Sequence, residues 1–397
     1  MPTLPRELRG QLTDDFGNPI DKAPSIRLAR DNAWTLALPQ RRENGLSGTT
    51  YFGFVHSSGE RKYKPLEVRD DAILDWWQSR VIMQLRHVYV EVPAAEASSG
   101  KSRKLLAILA APEDNTSGDF NEVMLYLHGF PDMGVHPTKV DFASRVPAKL
   151  AEFWLNPQQE KKNVAFMTFN FGGVPGSDNE LLFTDKTISQ EIEDMVVVCK
   201  YIRSNLLGGK GKLHVIGLST GAILGALLRD KKVSDTITVI AGLLDMTKGV
   251  HFDFNKQQLE QSAAQGWCWK EFYLEDGCPM PKNVELSLDG IHPTTELTDA
   301  TAPLKIYVRL DQRYINEYYD GSLDILRAVS GPGLPPLLVI HGDADQDVPF
   351  PNGEELFAAA AEPKTFVAIA KANHLLSNSK HMKKALRAIG DHIAAMN

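Results

Sequence analysis

A mostly parallel α/β sheet, covered by helices on both faces and carrying one insertion, is the fold class that this 397-residue chain predicts. Three observations carry that reading. From Glu122 onward, short apolar segments alternate with longer segments of helical period. The short segments are apolar almost throughout, as strands buried on both faces must be. The alternation fails between Val250 and Gly333 and then resumes, and a long interruption within a layered domain reads as an inserted subdomain rather than a loop.

Taken in order, the first 84 residues are the least regular part, polar and punctuated by "FGNP" and "ENGLSGTT", with one helical candidate over 66–80. They read as an N-terminal extension of uncertain structure. "VIMQLRHVYVEV" (81–92) and "KLLAILAAP" (104–112) read as two strands of an antiparallel hairpin, joined by a loop rich in Ser, Gly and Lys. A parallel core then runs strand 122–129, helix 140–155, strand 163–171, helix 188–207, strand 212–218, helix 220–230 and strand 236–244. After the interruption come strand 335–342, helix 352–362, strand 365–374 and helix 381–396. The expected organisation is a core of 85–249 and 334–397 interrupted by a cap or lid over 250–333. The insert's own segments, "NKQQLEQSAAQGWCW" and "YINEYYDGSLDILRAV", read as helical and turn-rich.

Composition excludes several function classes. Hydrophobic residues make up 43% and charged residues 23%, with a formal net charge of −7, and no Lys/Arg run with interleaved aromatics marks a nucleic-acid face. The opening "MPTLPRELRGQLTDDFG" has no apolar core of signal-peptide length, and no apolar run is long enough to cross a bilayer. A cytoplasmic protein with a small-molecule partner, and with neither nucleic acid nor membrane as partner, is expected. Cys199, Cys268 and Cys278 form no metal-binding pattern; Cys268 and Cys278 are near enough in sequence to pair, but free thiols are the expectation in a reducing compartment.

The chemistry centres on "KLHVIGLSTGAILGALL" (212–228), where strand period gives way to helix period at Ser219. A serine hydroxyl becomes a nucleophile only when a base takes its proton and the oxygen stands clear of the backbone. A sharp strand-to-helix turn achieves the second condition and crowds the residues two before and two after, which gives G-x-S-x-G. Here these are Gly217, Ser219 and Gly221. A similar string around Ser47, "GLSGT", lacks the second spaced glycine and a preceding strand, so Ser47 reads as a loop residue.

A serine nucleophile of this kind is followed in the chain by an acid and then a histidine. "LLVIHGDADQDVPF" sets Asp343, Asp345 and Asp347 after a buried strand, and "TFVAIAKANHLL" ends the last strand at His374, with His381 a distant substitute. Together "LYLHGFPD", "GLSTG", "HGDADQDVP" and the late histidine resemble the α/β-hydrolase fold over residues 85–397. The resemblance is nearest to its carboxylesterases and, within them, to the cinnamoyl or feruloyl esterase group. It implies Asp345 as the triad acid, framed by His341, Gly342, Val348 and Pro349. It also implies oxyanion donors at the N–H groups of Thr220, after the nucleophile, and Phe130, after "HG". One departure stands out: "FNFGGVPGSDNE" occupies the place of an F-D-x-R-G-x-G-x-S loop, so Asn170 and Gly172 replace the usual Asp and Arg.

The expected activity is therefore hydrolysis of small-molecule carboxylic esters through an acyl-enzyme on Ser219, with no cofactor. Thioesterase, acyltransferase, peptidase and carbon–carbon hydrolase activity use the same triad and stay open, as does a non-catalytic binding protein on this fold. Asp343, Asp345 and Asp347 with Glu354 imitate a calcium loop, but Val348 stands where such a loop needs glycine and a strand precedes it, so no metal is expected. "GGKGK" (208–212) lacks the spacing of a phosphate loop. The insert is dense in aromatics, which at this density usually form local core; Trp267, Trp269 and Tyr318 are its candidates for lining an acyl pocket instead.

Overall fold

A computed structural model describes residues 83–112, 119–156, 163–274 and 304–396, together with three strands of the N-terminal region. The chain divides into two compact units, residues 1–81 with 156–158, and residues 82–155 with 159–397. In the first unit, β1 (Trp34–Leu36), β2 (Thr50–His56) and β3 (Arg61–Leu66) pair antiparallel, Trp34 opposite His56 and Thr50 opposite Leu66. Ser47, Cys278 and all but the first residue of the helical candidate at 66–80 lie outside the described residues.

The second unit opens with β4 (Met83–Val92) and β5 (Arg103–Pro112), the antiparallel pair read from the sequence, with Met83 opposite Pro112. It continues through β6 (Glu122–Leu127), helix α1 (Arg145–Trp154), β7 (Val164–Phe169), α2 (Ile188–Tyr201), β8 (Lys212–Leu218), α3 (Thr220–Leu228) and β9 (Thr236–Ile240). Between β9 and β12 come α4 (Met246–Asp253), α5 (Lys256–Gln265), β10 (Trp267–Leu274), β11 (Leu304–Asp311), α6 (Gln312–Asn316) and α7 (Ile325–Ser330). β12 (Leu337–Gly342), α8 (Pro351–Ala359), β13 (Lys364–Ile369) and α9 (Ser379–Ala394) complete it. The eight-stranded sheet has the order β13-β12-β9-β8-β6-β7-β5-β4, parallel except that β5 is antiparallel to both its neighbours.

Local chemistry explains the element boundaries. α2 begins at a reciprocal capping box in which Thr187 Oγ1 accepts from the Gln190 N–H at 3.2 Å and Gln190 Oε1 from the Thr187 N–H at 2.9 Å. It passes into a π-helical turn over Ile202–Leu206, which completes the helical run read to residue 207. In α9, Met382, Ala385, Leu386, Ile389 and Ile393 are buried at helical spacing and form its core-facing stripe. Every residue of β7, β9 and β12 is buried, as strands covered on both faces require.

Of the segment 250–333, read as helical and turn-rich, "YINEYYDGSLDILRAV" does carry α6 and α7 with a turn between them, whereas "NKQQLEQSAAQGWCW" is helical only in part. α5 does not run on to Trp269: Gly266 adopts a left-handed φ of 83° and ends the helix, and "WCWKEFYL" continues as β10, antiparallel to β11, with Trp267 opposite Asp311 and Leu274 opposite Leu304. Among the described residues, no helix is long and apolar enough to cross a membrane.

Candidate active site

Strand register brings the expected site residues to one edge of the sheet. Leu127 pairs with Gly217, Leu218 with Ile240, Ile240 with Ile340, and Gly342 with Ile369, so β6, β8, β9, β12 and β13 all end at the same level. Beyond those ends come, respectively, His128–Phe130, Ser219, Ala241, Asp343–Val348 and Ala370–His374. Open parallel sheets place their binding crevices at this carboxyl edge. The Ser219 N–H donates to the Ile240 carbonyl at 3.0 Å and the Ala241 N–H to the Ile340 carbonyl at 3.0 Å, which carries the ladder one step past the strands.

Ser219 sits in the turn that the glycines require. Its φ is 58° with ψ −122°, a conformation that costs a non-glycine residue energy, and it caps α3. A Cβ on Gly217 would lie 2.0 Å from the Gly221 carbonyl oxygen, and one on Gly221 would lie 2.2 Å from the Leu127 carbonyl oxygen. Both positions are therefore closed to any side chain. The first N–H groups of a helix lack intrahelical acceptors, so the Thr220 N–H at the start of α3 is available to donate. Gly129 lies against the serine, its virtual Cβ 3.2 Å from Ser219 Cβ and 3.7 Å from Oγ. That closeness sets the backbone of the 128–130 turn beside the hydroxyl.

Asp345 and His374 meet at the same edge. His374 Nδ1 donates to Asp345 Oδ2 at 2.9 Å, while Asp345 Oδ1 accepts from the Asp347 and Val348 N–H groups at 3.0 and 2.9 Å. Burial raises the Asp345 pKa, but hydrogen bonds from His341 and His374 and the attraction of His374 outweigh it and hold the carboxyl well below the usual carboxylate range. His341 Nε2 donates to the Val348 carbonyl at 2.9 Å and lies 3.5 Å from Asp345 Oδ2, so it braces the acid's loop. Asp343 is turned elsewhere, accepting from the Lys371 N–H at 2.5 Å. Asp345, Asp347 and His374 hold potential metal-ligand atoms within 4.8 Å of one another, but both Asp345 oxygens are already engaged by the bonds just described.

Around Phe130 the structure gathers rings from the aromatic-dense segment 250–333 together with Phe183, Lys186 and Lys270, which the sequence did not mark. Its ring stacks on Tyr314 at 4.7 Å and on Phe183 at 5.9 Å, with Phe254 at 6.2 Å. Two buried ammonium groups face the same ring, Lys186 Nζ at 5.3 Å and Lys270 Nζ at 5.5 Å from its centroid. Lys186 is ion-paired to buried Glu191, which also accepts from Tyr314 Oη at 3.4 Å, and Lys270 donates to the Asp253 backbone carbonyl. Tyr318 Oη donates to the Asp253 side chain at 2.5 Å. Burial raises the Asp253 carboxyl pKa, partly opposed by Lys270, Tyr318 and the nearby His374. His128, at 3% exposure, is held to a pKa of about 3, first by burial and further by the charge of Lys186.

The three aromatics singled out in the insert fall differently. Tyr318 is buried in this cluster. Strand alternation sets Trp267 and Trp269 on the face of β10 opposite Cys268, Lys270 and Phe272. They pack edge-to-face on each other at 5.0 Å, with the Arg309 guanidinium 4.8 Å from Trp267. The departure at Gly172 has its own counterpart: a Cβ there would lie 3.1 Å from both Arg103 Cδ and Asp194 Oδ2. Arg103, reaching in from β5, binds Asp194 Oδ1 through Nε and Nη2 at 2.9 and 2.8 Å, and Asp194 Oδ2 accepts from the Gly172 N–H at 2.8 Å. A guanidinium thus stands beside this loop although its own arginine is missing.

No protein-family profile and no curated protein matches the chain. Solved structures do. A putative hydrolase from Agrobacterium vitis S4 superposes with a TM-score of 0.52 at 15% identity, over 79% of this chain and 98% of that one. Est1E from Butyrivibrio proteoclasticus, solved with ferulic acid bound, superposes with a TM-score of 0.50 at 17% identity, over 78% of this chain and 98% of that one. With the strand order, the elbow at Ser219 and the helices on both faces of the sheet, these likenesses give the chain the α/β-hydrolase fold.

Proposed function

We propose that the protein is a serine hydrolase of small-molecule carboxylic esters. The observation that carries this reading is the His374–Asp345 hydrogen bond, made at the sheet edge where Ser219 occupies a left-handed strand-to-helix turn. In this reading His374 Nε2 takes the Ser219 proton as Oγ attacks the ester carbonyl, and Asp345 fixes the tautomer by accepting from Nδ1. The Phe130 and Thr220 N–H groups receive the oxyanion. His374 then passes the proton to the leaving alcohol, and water repeats the sequence on the acyl-enzyme to release the acid.

For the acyl side we propose aromatic or other flat apolar groups. The support is the buried cluster of Phe183, Phe254 and Tyr314 packed around Phe130 beside the oxyanion turn, on a fold that in Est1E binds ferulic acid. The test is direct: incubate the protein with a fluorophosphonate probe, map the labelled residue, and assay matched oxygen esters and thioesters with acetyl and arylacyl groups. Labelling at Ser219 with faster turnover of oxygen esters supports the reading. Labelling without ester turnover assigns the triad to another acyl transfer, and no labelling rejects the nucleophile.

A further inference from the structure

We infer that Asn170 is a positioning residue for the oxyanion turn, and that its neutral carboxamide, standing where resembling esterases carry a carboxylate, is what the hydrogen-bond pattern of this turn demands. The inference rests on the assignment of Phe130 as an oxyanion donor. Asn170 follows β7 directly and is fully buried. Its Oδ1 accepts from the Gly134 and Val135 N–H groups, both at 2.9 Å, and its Nδ2 donates to the Val135 and Pro175 carbonyls, both at 2.9 Å. Two acceptor sites and two donors are the whole capacity of a carboxamide, and all four are used on backbone groups.

The bonded groups lie just downstream of the donor. The segment from Gly129 to Val135 is fixed at its near end by Gly129 against Ser219. At its far end a Cβ on Gly134 would lie 2.3 Å from Thr168 Oγ1 and 2.9 Å from the Phe169 carbonyl oxygen, so this backbone is pressed onto the end of β7. Between them, the Asp132 N–H donates to the Gly129 carbonyl at 3.2 Å. Asn170 is itself anchored: its N–H donates to the Leu106 carbonyl at 2.8 Å, and its carbonyl accepts from Ser177 Oγ at 2.8 Å. Asn170 therefore ties the loop carrying Phe130 to β5, deep in the sheet. An oxyanion donor works only if it is aimed before the charge develops, and errors of about 1 Å in such groups cost about a hundredfold in rate.

A carboxylate could accept the two N–H groups but would turn its second oxygen toward two carbonyl oxygens, unpaired and buried. Protonation would restore one of the two lost donors. None of the four partners of the Asn170 side chain titrates. The ionisable side chains on the neighbouring stretches are His128, Asp132, His136, Asp178 and the Arg103–Asp194 pair, which are present in variant and wild type alike, so the pH dependence is read as the ratio of variant to wild type.

The test compares wild type with Asn170→Asp and Asn170→Ser by two readouts. One is amide hydrogen exchange over residues 129–136, which does not depend on what the protein hydrolyses. The other is kcat and KM on 4-nitrophenyl butyrate from pH 5 to 8. Asn170→Asp is expected to speed exchange at Gly134 and Val135 and to lower kcat by about 10- to 100-fold, with KM changed less than about threefold. Its kcat relative to wild type should recover as pH falls and the new acid protonates. Asn170→Ser should lose kcat and protection equally at every pH. Unchanged exchange in both variants, or full kcat in either, overturns the inference, as does a loss in Asn170→Asp that is the same at all pH values. If Asn170→Asp does not fold at pH 8, the serine variant decides by the same two criteria. Absent ester turnover in wild type would instead indict the esterase reading, while the exchange readout still decides the anchoring.

Discussion

His374 Nδ1 and Asp345 Oδ2 are joined by a 2.9 Å hydrogen bond, and no carboxylate oxygen of Asp345 is left over, since Oδ1 accepts from two backbone N–H groups. An asparagine at 345 would keep those two backbone bonds only by turning its NH2 toward His374. The imidazole would then have to offer a lone pair at Nδ1 and carry its proton on Nε2, the wrong tautomer for a base. Asp345→Asn should lower kcat by on the order of a thousand- to ten-thousandfold. Asp343→Asn and Asp347→Asn should each cost less than about tenfold, because an amide oxygen can still accept from Lys371 and Asp347 is exposed. Steady-state kinetics of the three variants checks this, and equal losses would remove Asp345 from its special place.

If Ser219 is the nucleophile, its backbone strain and the activity should separate on substitution. Its φ of 58° is a conformation that glycine adopts without penalty. Ser219→Gly should therefore abolish ester turnover, at least about a thousandfold, while stabilising the fold by about 1 kcal/mol. Ser219→Ala should abolish turnover with almost no change in melting temperature. Denaturant unfolding and hydrolysis, measured on the same preparations, test both statements; a destabilised glycine variant would contradict the strain argument.

Acid sensitivity should come partly from His128. Its folded pKa of about 3 lies below the ordinary histidine value, so the stability it contributes is complete above about pH 6.5 and is lost as the pH falls toward 3. One proton taken up on unfolding costs about 1.4 kcal/mol per pH unit in that window. Asp345, whose pKa is also depressed, adds its loss only below the usual carboxylate range. Urea unfolding of wild type and His128→Gln at pH 7, 5.5 and 4 should show the wild type losing more stability per pH unit than the variant. Parallel curves would show that His128 is not the proton acceptor.

Much of the core was legible because its signals are local. The strand–helix rhythm, the glycines about Ser219 and the acids after "LLVIHG" each sit within a few residues of the feature they specify, and the parallel register then brings Asp345 to His374 across 29 residues. The β10–β11 pair was not read because its strands meet across a long separation, Trp267 with Asp311, although residues 267–272, "WCWKEF", do alternate half-buried and buried positions. Lys186 and Lys270 were invisible for a different reason. Lysine reads as a surface residue, and these two are buried only because Glu191 and the Asp253 carbonyl receive their charge. Asn170 was noticed as a departure from a motif, but its meaning lies in four backbone groups that only the folded loops bring together.

Selectivity should follow the two faces of β10. Lys270 and Phe272 share the face turned toward the Phe130 cluster, which Phe254 and Tyr314 complete, whereas Trp267 and Trp269 pack on each other on the opposite face. If the acyl group lies against the Phe130 cluster, truncating Phe254 should remove contact with a large flat acyl group while an acetyl group, which does not reach it, keeps its rate. Phe254→Ala should therefore lower kcat/KM for an arylacyl ester relative to an acetyl ester by about 10- to 100-fold, the worth of a few buried methylenes. Trp267→Ala should leave that ratio within about twofold, because its ring faces Trp269 and Arg309 instead. Phe254 is 2% exposed, so its loss also costs about 3 kcal/mol of stability, and the ratio must be measured below the variant's melting transition. A ratio that shifts with Trp267→Ala and not with Phe254→Ala would move the acyl site to the other face of the hairpin.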